Sequence, residues 1–256
     1  MRYKEQAINT FKKIDTSNWN SFKDNVFIRL INKKIADTQP EYENAIKVPF
    51  MDLYKMFYIR EIDRGNDIVY GYTLQKGDMK KFNVKFQKLS KQAQDNHNND
   101  KKMRISTLKE NIAKQSVFAP VIRIPDSAMT MAEGNMPGTI IDKDDNGNEN
   151  ILVVTNSMDV FGTSYMASQN MINEIWNRFR KENFYMISMT QNKLMCIREK
   201  YMTENGTKSK VEYEDDLFGM IDKMNSQVEN WKDILSYRLY YFIGDDGQKI
   251  ISLKET

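Results

Sequence analysis

The spacing of apolar residues along the chain alternates between the period of a helix and that of a strand, which predicts both in one fold. Helical spacing over residues 3–14 and again over 22–31 predicts two amphipathic helices at the start, with Ser21 as the N-cap of the second. Two apolar runs then flank a turn made of Asp, Arg, Gly and Asn. Residues 56–74 are therefore expected to form a β-hairpin.

A lysine-rich amphipathic helix is predicted next, over residues 79–94. Its apolar face would carry four core-facing side chains: Phe82, Phe86, Leu89 and Ala93. The opposite face would carry a row of lysines spaced by three or four residues: Lys81, Lys85, Lys88 and Lys91. Residues 95–100 are expected to end this helix, and a short basic helix over 104–115 and a strand over 117–124 are expected to follow.

The second half carries clearer strand signals, most of them in pairs. Apolar runs on either side of polar turns predict one hairpin over 139–155, with its turn at 144–148, and another over 184–198, with its turn at 191–192. The remaining predicted elements are a strand over 160–166, helices over 171–179 and 217–228, and a C-terminal hairpin that joins 237–243 to 249–253.

These elements indicate an α+β fold of mostly antiparallel strands with packed amphipathic helices. The strands are antiparallel because they come in hairpins and do not alternate one by one with helices. The turns at 62–68 and 144–151 lie in similar strand-turn-strand-helix units, which one interpretation explains by an internal ββα duplication. The other interpretation is that Asp, Asn and Gly occupy hairpin turns in any protein. The loop 129–138 is the predicted boundary between an N-terminal lobe, 1–128, and a C-terminal lobe, 139–256, unless both form one continuous domain.

The net charge of the chain changes sign near the predicted boundary between the two lobes. The net charge is +3, but residues 1–128 hold 24 Lys and Arg against 15 Asp and Glu, whereas residues 129–256 hold 14 against 20. Eleven of the basic residues lie between positions 76 and 114, against four acidic ones. The N-terminal half is therefore basic and the C-terminal half acidic.

Histidine and cysteine each occur once, as His97 and Cys196. A single cysteine cannot form an intramolecular disulfide, and one histidine leaves no zinc-ligand spacing and no histidine-based catalytic triad to identify. We therefore expect no cofactor, no metal site and no catalytic residue. Cys196 lies between apolar neighbours in a predicted strand, which indicates an unreactive core thiol.

The chain shows no signal for export or membrane insertion. Its first residues lack the apolar stretch of a secretion signal, and no run approaches the ~20 apolar residues of a membrane span. Together with the single cysteine, this predicts a protein of a reducing compartment. We expect it to be cytoplasmic and not to enter a membrane.

Five blocks of the sequence carry a resemblance to one family. They are residues 25–32 (Asn-Val-Phe-Ile-Arg-Leu-Ile-Asn), 48–53 (Val-Pro-Phe-Met-Asp-Leu), 151–156 followed by Phe161-Gly162, 184–188, and 240–242. In these blocks the chain resembles an uncharacterised family of Firmicutes proteins that is common in gut Clostridia and often encoded on integrative elements. The resemblance spans most of 25–243. It implies a fold and a genomic setting but no chemistry, because the family has no assigned activity.

The lysine-rich segment is the one binding surface that the sequence indicates. Its predicted members are Lys80, Lys81, Lys85, Lys88, Lys91, Lys101, Lys102 and Arg104. A row of ammonium groups can contact a phosphate backbone or an acidic protein. The alternative is a solvated helix face whose charge is balanced by the acidic half, within one chain or in a homodimer.

Two functions follow from these observations. The leading hypothesis, which rests on the genomic setting, is a non-enzymatic accessory protein of a bacterial mobile element or phage that binds a protein. Inhibition of a host defence system is one role of that kind. The alternative is nucleic-acid binding through the basic helix 80–91. An enzyme ranks third, because no spacing singles out a carboxylate, lysine or tyrosine for catalysis.

Overall fold

A computed structural model describes residues 18–63, 68–100, 103–107, 149–156, 161–204, 209–226, 228, 231, 234–244 and 247–253. The strands are β1 Val26–Asn32, β2 Lys47–Phe50, β3 Leu53–Asp63, β4 Ile68–Thr73, β5 Met103–Thr107, β6 Ile151–Asn156, β7 Phe184–Thr190, β8 Lys193–Arg198, β9 Leu239–Ile243 and β10 Lys249–Leu253. The helices are α1 Trp19–Phe22, α2 Lys33–Thr38, α3 Lys76–Lys81, α4 Phe86–Asn98, α5 Gln169–Arg178, α6 Glu199–Glu204 and α7 Lys210–Ser226, with 3-10 helices at Lys23–Asn25, Pro40–Tyr42 and Gly162–Ala167. The predicted α+β class is confirmed.

The strands form two antiparallel sheets. In the first sheet β3 is central, β1 pairs with one of its edges, and β2 and β4 share the other edge. The predicted hairpin over 56–74 is confirmed, because β3 and β4 pair from Tyr58 opposite Thr73 to Asp63 opposite Ile68. The second sheet has the order β10-β9-β7-β8-β6-β5. It contains both hairpins predicted over 184–198 and 237–253.

Both faces of the second sheet are buried at β6, which explains why this strand is apolar at consecutive positions. Leu152 and Val154 face a central core that includes side chains of the first sheet, α4 and α5. Ile151 and Val153 face a second core that lies under α7. β5 comes from the first half of the chain but pairs with β6, so this sheet contains strands from both halves.

Two segments adopt a different secondary structure from the one predicted. Residues 26–32 form strand β1 rather than the second half of a helix, since both faces of this strand are buried and β3 supplies its hydrogen-bond partners. The strand predicted over 160–166 is a 3-10 helix instead, and all six of its residues, Gly162–Ala167, are buried. In both cases a short apolar run fits the spacing of a helix as well as that of a strand, and tertiary packing determined which of the two formed.

Other predictions fall partly or wholly outside the described residues. This applies to the helix over 3–14, the strand over 117–124, the boundary loop 129–138 and the turn of the second proposed ββα unit at 144–148. The helices predicted over 171–179 and 217–228 are confirmed as α5 and α7, with shifted ends.

Candidate binding surfaces

The lysine-rich helix predicted over 79–94 is in fact two helices. α3 ends where the Phe82 amide donates to the Asp78 carbonyl, and α4 begins at Phe86 with Lys85 as its N-cap. Phe82 and Val84 are both buried, and the residue between them, Asn83, has a φ of 50°. Residues two apart point to nearly opposite sides of a helix, so only a break lets both side chains enter the core.

This break corrects the predicted geometry of the lysines. Lys81 ends α3 and Lys85 precedes α4, so the four lysines do not form one row on one helix. α4 also continues through the residues expected to end it, as far as Asn98. Arg104 lies in β5, opposite Thr155, and not in a basic helix, while Lys101 and Lys102 lie outside the described residues.

Six exposed lysines of α3, α4 and their connection nevertheless form a basic surface, which we call the lysine surface: Lys76, Lys80, Lys81, Lys85, Lys88 and Lys91. Within the described part of the chain none of them forms an ion pair. Asp78, the acidic residue of α3, is buried and accepts hydrogen bonds from the Gln75 amide and the Tyr72 hydroxyl. Its charge is therefore turned away from the lysines.

One exposed aromatic side chain lies next to Lys85 of the lysine surface. Phe86 was predicted to face the core, but it is 39% exposed and follows Lys85 directly in the chain. Its inner edge meets the ring of Phe57, with the two centroids 6.0 Å apart. A nucleic-acid base can stack on an exposed ring beside a lysine. Sequence reasoning missed it because a single helix over 79–94 would place Phe86 in the helix interior, whereas the break makes it the first residue of α4.

Among the described residues, the acidic half of the chain does not neutralise this surface. α4 packs against β1 and α5, on the central-core side of the second sheet, whereas α7 packs against β7 and β9 on its other side. The exposed carboxylates of α7 include Glu212, Asp215 and Asp222. Among the described residues, no ion pair joins α7 to the lysine surface.

A second exposed group precedes β9 and is made of two aromatic residues, Trp231 and Tyr237, which we call the aromatic segment. They are 46% and 56% exposed. The Lys34 ammonium lies 5.4 Å from the centre of the Trp231 ring. Leu235, which lies between them in the chain, is anchored, because its carbonyl accepts a hydrogen bond of 3.0 Å from the Asn32 side chain.

Groups with catalytic potential are engaged inside the protein. The Arg60 guanidinium donates to the Asp100 carboxylate over 2.6 Å, and the Tyr165 hydroxyl donates to the same carboxylate. The His97 ring stacks on Tyr165 with 4.9 Å between centroids. Burial raises the pKa of the Cys196 thiol, which agrees with an unreactive core cysteine.

We expect the protein to lose stability as the pH falls, because His97 is buried. Its ring nitrogen lies 2.7 Å from the Ser164 carbonyl oxygen. Burial lowers the pKa of His97 from 6.5 to about 4. Above pH 6.5 the imidazole is neutral in the folded and the unfolded chain. As the pH falls to about 4, only the unfolded chain takes up the proton, so up to ~3 kcal/mol of stability is lost.

Urea unfolding between pH 7 and pH 4.5, for the unmutated protein and His97→Gln, measures this loss. The variant lacks the titrating ring, so its stability should fall less steeply with decreasing pH. Carboxylates titrate in both proteins and cancel in the difference. Parallel curves would show that His97 does not titrate differently in the two states.

Two further features of the described residues concern metal binding and membrane insertion. Within the described residues no three His, Cys, Asp or Glu side chains lie close enough to hold a metal ion. In the same part of the chain, no helix combines the length and apolar character needed to span a bilayer.

Comparison with known proteins points to a family and not to an activity. The model of a family of unknown function, DUF5688, matches residues 1–243. No curated protein and no solved structure matches the chain. The expected membership of an uncharacterised family is confirmed, while the setting in Clostridia and on integrative elements stays a prediction.

Proposed function

The chain belongs to DUF5688, a family of unknown function, and on that premise we propose that it acts by binding another macromolecule and not as an enzyme. One observation carries the proposal: large apolar side chains stay exposed, and two of them stand beside lysines. Among the described residues these side chains are Phe86, Val211, Trp231 and Tyr237. Exposed aromatic residues next to cationic groups are typical of binding surfaces.

The first candidate partner is a protein that contacts the aromatic segment. Trp and Tyr dominate the energetics of protein interfaces because they bury a large area with few rotatable bonds. Trp231 and Tyr237 are exposed, and Lys34 beside Trp231 adds a charge for an acidic group of the partner. In this proposal the protein is a cytoplasmic accessory protein of a mobile element or phage, and its partner belongs to the host, for example a defence protein.

The second candidate is a nucleic acid bound by the lysine surface. Phe86 favours it, since an exposed ring that directly follows Lys85 can stack on a base while the ammonium groups contact phosphates. Lysine contacts with phosphates carry little sequence information, so we expect single-stranded binding with weak sequence preference.

A pull-down of the tagged full chain from a bacterial host, with and without nuclease, tests both candidates. A protein partner should resist nuclease and moderate salt, and it should be lost from the double variant Trp231→Ala with Tyr237→Ala. Co-purifying nucleic acid should instead be lost from Lys85→Glu with Lys88→Glu. Any nucleic acid that this variant still binds at low salt should show a slope of log affinity against log salt that is about 1.4 smaller in magnitude, because two phosphate contacts to a single strand are lost.

The matched control is Lys223→Glu with Lys249→Glu. It changes the net charge by the same amount at exposed positions in α7 and β10, outside the lysine surface. It should retain a bound nucleic acid. If neither a protein nor a nucleic acid co-purifies with the unmutated chain, the binding proposal fails.

A further inference from the structure

A pocket of about 340 Å³ opens where the two sheets meet, and we call it the junction pocket. The turn after β2, the helices α4 and α5, and the β9–β10 hairpin contribute to its lining. Phe50, Ile172 and Phe242 supply apolar surface. This volume falls in the range of sites for small molecules.

Lys55 is the charged residue among the described residues of this lining. It lies on β3 between Leu53 and Phe57, and alternation along a strand directs all three toward the central core. The ammonium is half-buried, and burial lowers the pKa of Lys55. Its Nζ lies 4.5 Å from the centre of the Phe50 ring, and no carboxylate of the described residues pairs with it.

Carboxamide side chains form the polar part of the lining. The Gln94 amide donates 2.9 Å bonds to the Asn98 side-chain oxygen and to the Ala167 carbonyl. The Gln169 amide donates to the Gln248 side-chain oxygen over 3.2 Å. These bonds use the oxygen atoms of Asn98 and Gln248. Neither amide nitrogen of these two side chains has a hydrogen-bond acceptor among the described residues, so both can donate to a ligand.

We propose that the junction pocket binds a small organic anion, a monocarboxylate with an apolar body. Lys55 would receive the carboxylate, Asn98 and Gln248 would donate to it, and Phe50, Ile172 and Phe242 would pack on the body. A half-buried ammonium without a counter-charge favours an anion over a neutral molecule, because charge-assisted hydrogen bonds are about twice as strong as neutral ones. The proposal does not depend on either macromolecular surface.

Titration of the full chain with phenylacetate, followed by protein nuclear magnetic resonance, tests the proposal. Phenylacetamide is the neutral isostere, and acetate is the anion without a body. We expect phenylacetate to bind at least about tenfold more tightly than either, with resonance shifts confined to pocket residues. Equal affinity for phenylacetate and phenylacetamide, or no binding of phenylacetate, would overturn the proposal without any mutation.

Two matched variants locate the charge that matters. Lys55→Met keeps the length of the side chain and removes its charge, so the preference for phenylacetate over phenylacetamide should fall to about onefold. Lys88→Met makes the same change on the lysine surface and should keep the preference. A preference that survives in Lys55→Met and disappears in Lys88→Met would place the anion on the lysine surface and contradict the junction pocket.

Discussion

Asp100→Asn is expected to lower the free energy of unfolding by about 3–5 kcal/mol. Arg60 and Asp100 pair over 2.6 Å with side chains only 5% and 3% exposed, which removes both charges from water. The asparagine would leave the guanidinium buried without a counter-charge and would disturb the hydrogen bond from Tyr165. Urea unfolding at pH 7, followed by circular dichroism, measures the loss.

The contrast with an exposed pair isolates the effect of burial. Asp24→Asn breaks the 3.2 Å pair with Lys23 near the protein surface and should change stability by less than about 1 kcal/mol. Replacing both buried partners, as Arg60→Met with Asp100→Leu, should recover much of the loss, because no unpaired charge is then buried. A single Asp100→Asn variant as stable as Asp24→Asn would contradict this account.

Gly162→Ala is the second change with a large expected effect, a loss of about 3 kcal/mol or more. A Cβ atom at this position would lie 2.1 Å from the Asn192 carbonyl oxygen, 2.7 Å from the Thr155 Cα and 2.9 Å from the Val154 carbonyl oxygen. All three atoms belong to the backbone of the second sheet or its turn, so none can rotate away. Thermal unfolding followed by calorimetry measures the effect.

Gly219→Ala is the matched control, because the same methyl group at that position meets no atom within 4 Å. Gly219 is exposed in the interior of α7, where alanine has the higher helix propensity. This variant should gain about 0.5–1 kcal/mol. Similar effects of the two substitutions would show that the 3-10 helix Gly162–Ala167 can shift away from β6.

Local sequence patterns were sufficient to predict the strands and helices whose packing partners are close in the chain. The β7–β8 and β9–β10 hairpins follow from apolar runs on either side of a polar turn, and α5 follows from one apolar stripe. β1 could not be predicted in this way. Its hydrogen-bond partner β3 lies more than twenty residues further on, and its own residues fit a helical spacing as well.

For the candidate binding surfaces, too, the sequence determined some features and the tertiary structure determined others. The sequence by itself determined the number of lysines in α3 and α4 and the core position of Cys196, because charge and apolar neighbours are local properties. Only the tertiary structure determined that Phe86 is exposed, because burial of Phe82 and Val84 forces a break that leaves Phe86 as the first residue of α4. The tertiary structure also forms the junction pocket, whose lining includes Lys55, Asn98 and Gln248. No local spacing relates residues so far apart in the chain; the packing of the two sheets on one core brings them together.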